Sequence, residues 1–569
     1  QSLDLIEHAQ LSTGKLFAII KQESMSDSDE YSDDGSDDGS DDSSGDGSDD
    51  GSDDGSDDGS DAEDARPLTK DNKKDAGNKQ NRFNYYHMTP GMVTSWSDWW
   101  RPKDIPETCQ LMALRNVAIP LTYMVSGLTQ GFLIPILTNY AEDIGATNGQ
   151  QGNISALYTL PIAFKIFMGF ATDNLNFGGF RRRPAMFLGW FISAAAMVFL
   201  MIGSNTRYTP GEAPPPDAPT MLRLGTAIFF YGFGSNLASA VADGMTVEKY
   251  QLENVGRGNF LLSCLGFRYF GATVAVSIST FVYSAGGSYT IFTLLLIFPS
   301  LMLLIIMYLE EDVKLKELEG FKKNMGNLWE MIQTRAVWQP MAFIFLFHVV
   351  QVQNLAWYDF LELSLGFTDS QLNVVVIASL AFIYFGVITF KYAFMEWSWK
   401  VIFCSTTVMA FLGSLMQILL ARGVTFGLNE AVFAFFAEAF VTFIKGLQLV
   451  PINLMMIAIC PRGGEATAFA FYTTIANFAL FIAGSTGILL VRSQGISNEL
   501  LSDQSEAEGP VSKITLYAGL LSFSGLLFLS LMPHTKEHVD EWKKTKWTTG
   551  GRIVLGMVAC GFLYTLVLA

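Results

Sequence analysis

The sequence has few of the residues from which soluble enzymes build their active sites. Its five cysteines are scattered and show no CxxC or paired spacing, which argues against a disulfide framework and a zinc site. The five histidines form no HExxH motif, and there is no GxxxxGK phosphate loop, GxGxxG turn or GxSxG elbow. We therefore expect no enzyme activity, no cofactor, no metal and no nucleic-acid partner.

Charge is also scarce outside one segment. Charged residues are 16% of the 569 residues, hydrophobic residues are 50%, and Phe occurs 45 times, whereas soluble domains carry roughly 25% charged residues. The net charge is −18, but residues 27–64 contain 19 carboxylates and no Lys or Arg, so −18 + 19 leaves +1 for the remainder. The composition predicts a membrane protein with a single acidic tail.

The acidic tail repeats Gly-Ser-Asp-Asp and contains almost no apolar residue. Such a segment cannot bury enough surface to offset the entropy of ordering, so we predict that it is disordered. Its serines lie between carboxylates and are candidates for an acid-directed kinase. The alternative is a solvating tail without a switch.

The rest of the chain contains apolar segments long enough to cross a bilayer, which takes about 20 residues. We number them spans 1 to 12, near residues 115–137, 153–174, 184–203, 222–247, 258–282, 289–309, 338–360, 371–391, 400–421, 430–459, 466–491 and 511–532. A last apolar run, 553–569, predicts either a thirteenth span or a helix lying against the bundle.

The two sets of six spans resemble each other. IGATN before span 2 aligns with LGFTD before span 8, and VGRG after span 4 aligns with PRGG after span 10. Internal repeats of this kind are typical of transporters built from two related halves. We therefore predict an all-α membrane protein with a 6+6 helix bundle, divided into an acidic tail and interfacial segment (1–110), an N-terminal half (111–310), a connector (311–337), a C-terminal half (338–532) and a basic loop with the possible thirteenth helix (533–569).

The distribution of Lys and Arg predicts the orientation, because basic loops stay on the cytoplasmic side. These residues concentrate in the loops that share a side with the N-terminus. A cytoplasmic N-terminus places the acidic tail and the connector in the cytosol. The membrane can be the plasma membrane or that of an organelle.

The loop between spans 2 and 3, GFATDNLNFGGFRRRP, resembles the cytoplasmic loop signature of the major facilitator superfamily. In that signature a Gly-x-x-x-Asp segment and a basic cluster form ion pairs that hold one face closed. The resemblance implies a gate of Asp173, Arg181, Arg182 and Arg183, which we expect Glu248, Arg257, Arg462 and Glu465 to join. The alternative is that the arginines only fix the topology.

Several stretches resemble the folate-biopterin transporter family. They are KIFMGFATDNLNFGGFRRRP in span 2, VADGMTVEKYQ in span 4, VWQPMAFIFLF and LGFTDSQLN around span 7, and CPRGGEATAFAFYTTIANF at span 11. The resemblance covers most of residues 110–532. It implies a proton-driven secondary transporter of pterin-like solutes such as folate or biopterin.

Ionisable groups inside the spans are costly to insert, about 2.5–3.5 kcal/mol each, and therefore tend to face a polar cavity. Three cations suit the carboxylates of a folate, and aromatic and amide side chains suit its flat ring. We therefore predict a substrate site of Lys165, Arg268, Lys445, Gln130, Gln353, Asn354, Trp357 and Tyr358.

Proton coupling needs a buried carboxylate near a movable cation, and Asp243 and Glu438 are the candidates. The alternative is that Lys445 pairs with Glu438, and Lys165 or Arg268 with Asp243, only to fix helix packing.

Three functions remain open from the sequence. The first is proton-coupled transport of folate or pterins, with a small-molecule substrate, the proton and the bilayer as partners. The second is a carrier of another organic anion or a nucleoside-like solute. The third is a membrane receptor or scaffold without transport, which the charges retained in both halves disfavour.

Overall fold

The protein is a bundle of long helices, seen in a computed structural model that describes residues 107–146, 148–174, 179–207, 217–252, 258–311, 326, 329–395, 397–461, 463–532, 542 and 544–568. The acidic tail and most of the connector lie outside the described residues. Nine helices within the described ranges are long and apolar enough to cross a membrane. The predicted all-helical membrane architecture is confirmed.

Span 1 is the helix Ala118–Pro135, continued by the π-helix Ile136–Tyr140, and span 2 consists of Asn148–Thr159 and Lys165–Asn174, joined by the 3-10 segment Leu160–Phe164. Span 3 is Arg183–Ile202, span 4 is Met221–Leu252, and spans 5 and 6 form the single helix Asn259–Ile305. The last of these is about 70 Å long at 1.5 Å per residue, more than twice the hydrocarbon thickness. Its helical path is broken at Gly287, where φ is 66°. Spans 5 and 6 therefore meet at Gly287.

Span 7 consists of Arg335–Val349, Trp357–Asp359 and the π-helix Phe360–Ser364, and span 8 is Asp369–Thr389 with the π-helix Phe390–Phe394. Spans 9, 10 and 11 are Trp399–Ala421, Glu430–Ala458 and Glu465–Ser493. Span 12 is Gln504–Ser524 with the 3-10 segment Gly525–Leu531. The short helices Glu107–Cys109, Ala141–Asp143, Ile306–Tyr308 and Asn498–Leu501 complete the count before the C-terminal helix Thr548–Leu568. Spans 2 and 4 of the first set pack on span 11 of the second, and span 5 packs on span 8.

Two spans are interrupted near polar residues. Span 2 changes to a 3-10 helix at Leu160–Phe164, because Pro161 has no N–H to donate to the preceding turn. Span 7 leaves the helical path between Val349 and Trp357. There the Asn354 side chain accepts from the Ala356 N–H at 3.0 Å, which satisfies one backbone group of the break, and it donates to the Thr515 hydroxyl at 2.9 Å. Interrupted spans of this kind are found at transport sites, because unwound backbone requires a polar surrounding.

The outside of the bundle is apolar. Large hydrophobic side chains project outward, above all from spans 3, 6, 9 and 12, including Phe187, Phe191, Phe199, Leu301, Leu304, Val401, Leu412, Leu520 and Leu527. In water so many exposed apolar groups would promote association. In a bilayer they contact lipid chains, so the exposure itself identifies the surface that faces lipid.

Small residues bring several helices into close contact. A Cβ atom at Gly446 of span 10 would lie 2.5 Å from the carbonyl oxygen of Ile383, and one at Gly386 of span 8 would meet the carbonyl oxygen of Phe443. Backbones can approach this closely only where a side chain is absent. The same device joins span 1 to span 5, where Gly127 faces the backbone of Arg268.

The C-terminal helix packs along the side of the bundle. The segment before it pairs with the start of span 7, where the Arg335 N–H donates to the Thr545 carbonyl and the Trp547 N–H donates to the Gln333 carbonyl, both at 2.8 Å. The helix then packs along spans 7 and 11 and contacts Leu160–Phe164 of span 2. Its 21 residues span about 31 Å, so the geometry fits the thirteenth-span alternative.

We expect Gly446→Ala to destabilise the protein, because the added methyl group forces spans 8 and 10 apart. Overpacking of this kind costs about 1–3 kcal/mol, and thermal unfolding of the purified protein in detergent measures it. Gly484→Ala is the matched control, since a Cβ there meets nothing within 4 Å. Equal melting temperatures for the two variants would contradict the close contact.

Candidate functional site

One end of the bundle is closed by a buried cluster of charges. Asp173 ends span 2, Arg181 and Arg182 precede span 3, Glu248 lies near the end of span 4, and Glu465 begins span 11. None of these five side chains is more than 10% exposed. We call them the ion cluster, and the end of the bundle at which they meet the arginine end.

The two guanidinium groups connect the three carboxylates. Arg182 Nη1 lies 2.7 Å from Asp173 Oδ1, and Arg182 Nη2 lies 2.7 Å from Glu248 Oε1 and 3.3 Å from Glu465 Oε2. Arg181 Nη2 lies 2.9 Å from Asp173 Oδ1 and 3.1 Å from Glu465 Oε2, and it donates to the Gly463 carbonyl at 2.8 Å. The cluster therefore ties spans 2, 3 and 4 of the first set to span 11 of the second.

Asp173 also caps span 11 across the boundary between the two sets. Its Oδ2 accepts from the backbone N–H of Thr467 at 2.7 Å and from the hydroxyl of Thr467 at 2.5 Å. Span 11 has no side-chain cap from its own N-cap residue, Gly464. The positive end of the helix dipole therefore helps to offset the third carboxylate of the cluster.

Electrostatic attraction keeps Arg182 charged. Burial disfavours the charged form of Arg182, but Glu248, Asp173 and Glu465 outweigh burial and raise the pKa of this guanidinium above its ordinary value. At the neighbouring Cys460, burial and then the carboxylates of Glu465 and Asp173 raise the pKa of the thiol well above its ordinary value. Both groups therefore remain protonated at neutral pH while the arginine end is closed.

The third arginine of the run points elsewhere. The Arg183 guanidinium donates to the Met307 carbonyl at 2.6 Å and lies 5.2 Å from the centre of the Phe180 ring. The structure brings Asp173, Arg181 and Arg182 together with both glutamates named from the sequence, but not Arg183. Arg257 and Arg462 lie outside the described residues.

Close packing continues from the ion cluster into the bundle. A Cβ at Gly169 would lie 2.7 Å from the Ala466 carbonyl oxygen, and one at Gly244 would lie 2.7 Å from the Ala466 Cβ. Where span 8 packs on span 5, Lys391 Nζ donates to the Ser263 hydroxyl at 2.7 Å. Nothing in the sequence around Lys391 indicates this partner on another span.

Polar side chains line a cavity near the middle of spans 1, 2, 4, 5 and 11. We call it the central cavity, and its lining residues are Ser126, Gln130, Tyr158, Ile162, Lys165, Ser235, Asn236, Ser239, Arg268 and Asn477. The cavity has a volume of about 30 Å³, which is room for a few water molecules and not for a pterin. A larger solute therefore requires the two sets of spans to separate.

An ion pair lies at the cavity wall. Lys165 Nζ is 2.7 Å from Asp243 Oδ2, and the Tyr123 hydroxyl donates to Asp243 Oδ1 at 2.6 Å. Lys165 is 5% exposed and Asp243 is 8% exposed. Lys165, Arg268 and Gln130, all named from the sequence, are brought together here, and Asp243 is the direct partner of Lys165.

The remaining predicted residues lie in the second set of spans, outside this lining. Glu438 accepts hydrogen bonds from Ser379 at 3.5 Å and from Gln417 at 3.4 Å, with Tyr358 as a further donor and Lys445 as the neighbouring cation. Trp357 is buried in an apolar cluster with its ring centre 5.9 Å from that of Phe360. Asn354 bonds to Thr515 at the break in span 7, and the Gln353 backbone packs against Gly487 of span 11.

Sequence reasoning missed several lining residues of the central cavity, among them Ser126, Ser235 and Ser239. Ser235 and Ser239 precede the predicted Asp243 at intervals of four on span 4, which places the three on one helix face. Ser126 shares a face of span 1 with the predicted Gln130 in the same way. This periodicity of polar residues within apolar segments was the available signal.

Comparison with known proteins identifies the kind of chain. A family model described as the BT1 family matches residues 127–546. The folate-biopterin transporter of Synechocystis is 21% identical over 429 residues, which are 73% of this chain and 81% of that protein. Folate transporter 2 of Plasmodium falciparum is 20% identical and covers 76% of this chain and 91% of its own length. The probable folate-biopterin transporter 5 of Arabidopsis thaliana is 25% identical over 63% of this chain and 74% of its own length.

Solved structures with the same fold are major facilitator superfamily proteins. The proton:xylose symporter XylE has a TM-score of 0.55 at 12% identity and covers 75% of this chain and 98% of its own. The human organic anion transporter MFSD10 has a TM-score of 0.52 at 11% identity and covers 73% of this chain and 99% of its own. The predicted major facilitator-like fold is confirmed.

We expect Arg182→Gln to destabilise the protein strongly, because it removes a cation on which three buried carboxylates depend. Breaking a buried ion pair by removing one partner costs about 3–5 kcal/mol, and thermal unfolding in detergent measures the change. Arg183→Gln is the matched control from the same run of arginines, with an expected change below about 1 kcal/mol. If both variants unfold at the same temperature, the distinction between the two side chains is wrong.

Proposed function

Because the chain belongs to the BT1 family, we propose that it transports folate- or biopterin-like pterins and couples their movement to protons. That it is a multi-pass membrane transporter and not an enzyme follows from the family, its relatives and the fold. The folate and folate-biopterin transporters among its relatives support the pterin substrate. The observation that carries the proposal is the Lys165–Asp243 ion pair at the wall of the central cavity.

The orientation proposed here puts the arginine end in the cytosol. Arg181, Arg182, Arg183 and Lys391 all lie at the cytoplasmic side that the loop charges predict. With the ion cluster formed and span 2 packed on span 11, this end is closed. Entry of solute then takes place from the opposite side, and release into the cytosol requires the ion cluster to separate.

The ion pair supplies a coupling step. For a folate-like solute, a carboxylate of the solute competes with Asp243 for Lys165, and it wins most readily when Asp243 has taken up a proton and lost its negative charge. Lys165 then keeps an anionic partner throughout, so no buried cation is left uncompensated. One proton enters on Asp243 for each carboxylate bound by Lys165, and both leave when the cavity opens to the cytosol.

Arg268, Gln130 and Asn477 supply the rest of the proposed substrate site. Arg268 lies on the same cavity as Lys165 and presents the planar donor geometry that carboxylates accept. Gln130 and Asn477 carry amide groups that both donate and accept, which suits the edge of a pterin ring. Glu438, with Lys445 and Tyr358 beside it, is the second proposed proton site.

Transport by the purified protein in sealed vesicles tests the proposal. Labelled folate and labelled biopterin are offered under an imposed pH gradient, with and without a protonophore. We expect accumulation that the protonophore abolishes. Accumulation that ignores the protonophore would refute coupling, accumulation of an unrelated organic anion alone would refute the pterin substrate, and absence of flux for every solute would refute transport.

Two variants at the ion pair separate binding from coupling. We expect Lys165→Met to lower uptake about tenfold or more, because a charge-assisted hydrogen bond to the solute is lost. We expect Asp243→Asn to abolish accumulation driven by the pH gradient while exchange of solute across the membrane continues, since an amide cannot carry the proton. Initial rates of uptake and of counterflow measure the two effects.

The control is Lys513→Met, which removes an exposed lysine at the start of span 12. It should leave both rates unchanged. Normal pH-driven accumulation by Asp243→Asn would exclude this carboxylate from coupling, and normal uptake by Lys165→Met would exclude this lysine from the substrate site.

A further inference from the structure

Glu311, at the end of span 6, holds the backbone of the arginine run. Its carboxylate accepts three backbone N–H groups in succession, from Arg181 at 2.8 Å, from Arg182 at 2.7 Å and from Arg183 at 2.7 Å. These bonds connect residues 128 to 130 positions apart in the chain. Sequence reasoning did not single out this glutamate.

A negative charge beside the N-terminus of span 3 is favourable. The first N–H groups of a helix have no partner within the helix, and the positive end of its dipole is unfavourable for cations. Span 3 begins with consecutive arginines, and its N-cap residue, Arg182, makes no side-chain cap. Glu311 supplies from another span both the missing acceptor and the missing negative charge.

The consequence reaches the ion cluster through the backbone. Glu311 makes its hydrogen bonds to the main chain of the three arginines, whereas the guanidinium groups of Arg181 and Arg182 bond to Asp173, Glu248 and Glu465. A shift of the main chain by one ångström is enough to lengthen these contacts beyond hydrogen-bond range. The carboxylate therefore acts on the cluster from outside it.

The neighbouring Glu310 is chemically the same and placed differently. It lies 3.3 Å from Arg115 with its side chain 64% exposed, and its own N–H donates to the Arg115 carbonyl at 3.1 Å. It ties the end of span 6 to the start of span 1. The chain thus offers a matched pair of glutamates, one at the arginine run and one beside it.

We propose that Glu311 is a positioning residue for the closed state of the arginine end, setting the main chain from which Arg181 and Arg182 reach across to span 11. This inference rests on the proposed function only in treating closure of this end as one step of transport. Loss of the Glu311 charge frees the start of span 3 and shifts the protein towards the open state.

Cys460 provides a native reporter of opening. It lies between spans 10 and 11 beside the ion cluster, where its thiol donates to the Met456 carbonyl at 3.3 Å. The other four cysteines, at 109, 264, 404 and 560, are replaced by alanine. The protein is embedded in nanodiscs, which expose both ends, and the rate of Cys460 modification by a membrane-impermeant maleimide is measured at fixed pH without solute.

We expect Glu311→Gln to raise this rate about tenfold, the factor that corresponds to one charge-assisted hydrogen bond, and Glu310→Gln to leave it unchanged. In an Arg182→Gln background, where the cluster is already broken, Glu311→Gln should add little, because positioning acts through the arginines. Glu311→Asp, which keeps the charge but withdraws it by one methylene group, should give an intermediate rate.

Equal rates for Glu311→Gln and Glu310→Gln would overturn the proposal, and so would a full effect of Glu311→Gln in the Arg182→Gln background. If Glu311→Gln does not yield folded protein, Glu311→Asp carries the test, and a rate equal to that of the parent overturns the proposal. Since the labelling uses no solute, its result stands apart from whether folate is transported.

Discussion

The rest of the structure depends on a group of charges kept out of water between two sets of helices. Removing a carboxylate or a guanidinium group from water costs several kcal/mol, so the group is stable only with every charge partnered. Asp173 has the N-terminus of span 11 as well as two guanidinium groups, and Arg182 contacts all three carboxylates. Such an assembly has two good states, fully formed or fully hydrated, and few between them. That property suits a gate.

The same constraint governs the interior of the bundle. Lys165 has Asp243, and Asp243 has Tyr123 as well; Glu438 has Ser379 and Gln417. In an apolar surrounding a charge changes partner more readily than it loses one. The Lys165–Asp243 contact is the helix-packing alternative weighed from the sequence. Under the proposed function, a carboxylate of the solute takes the place of Asp243.

Several parts of this site were predictable, and others were not. Lys165, Asp243 and Arg268 could be named because charged residues within apolar segments stand out in any sequence of this composition. The contact of Asp173 with the arginines could be expected because GFATDNLNFGGFRRRP resembles the loop signature of the major facilitator superfamily. The division within that run, with Arg182 buried and Arg183 turned to Met307, has no counterpart in the letters RRR. Glu311 is one of two adjacent glutamates, and only the fold brings it onto a loop 130 residues earlier.

The sequence by itself determined that the chain is a helical membrane protein and which charged residues inside its apolar segments must be explained. It could do so because lipid offers no hydrogen bonds, so that each crossing needs its own apolar helix and each charge within it must find a partner. Only the tertiary structure decided which residues are the ion-pair and hydrogen-bond partners of these charges. The choice among nearby carboxylates and cations depends on differences of one or two ångströms between helices far apart in the chain, and these distances arise from side-chain packing that no local pattern of residues records.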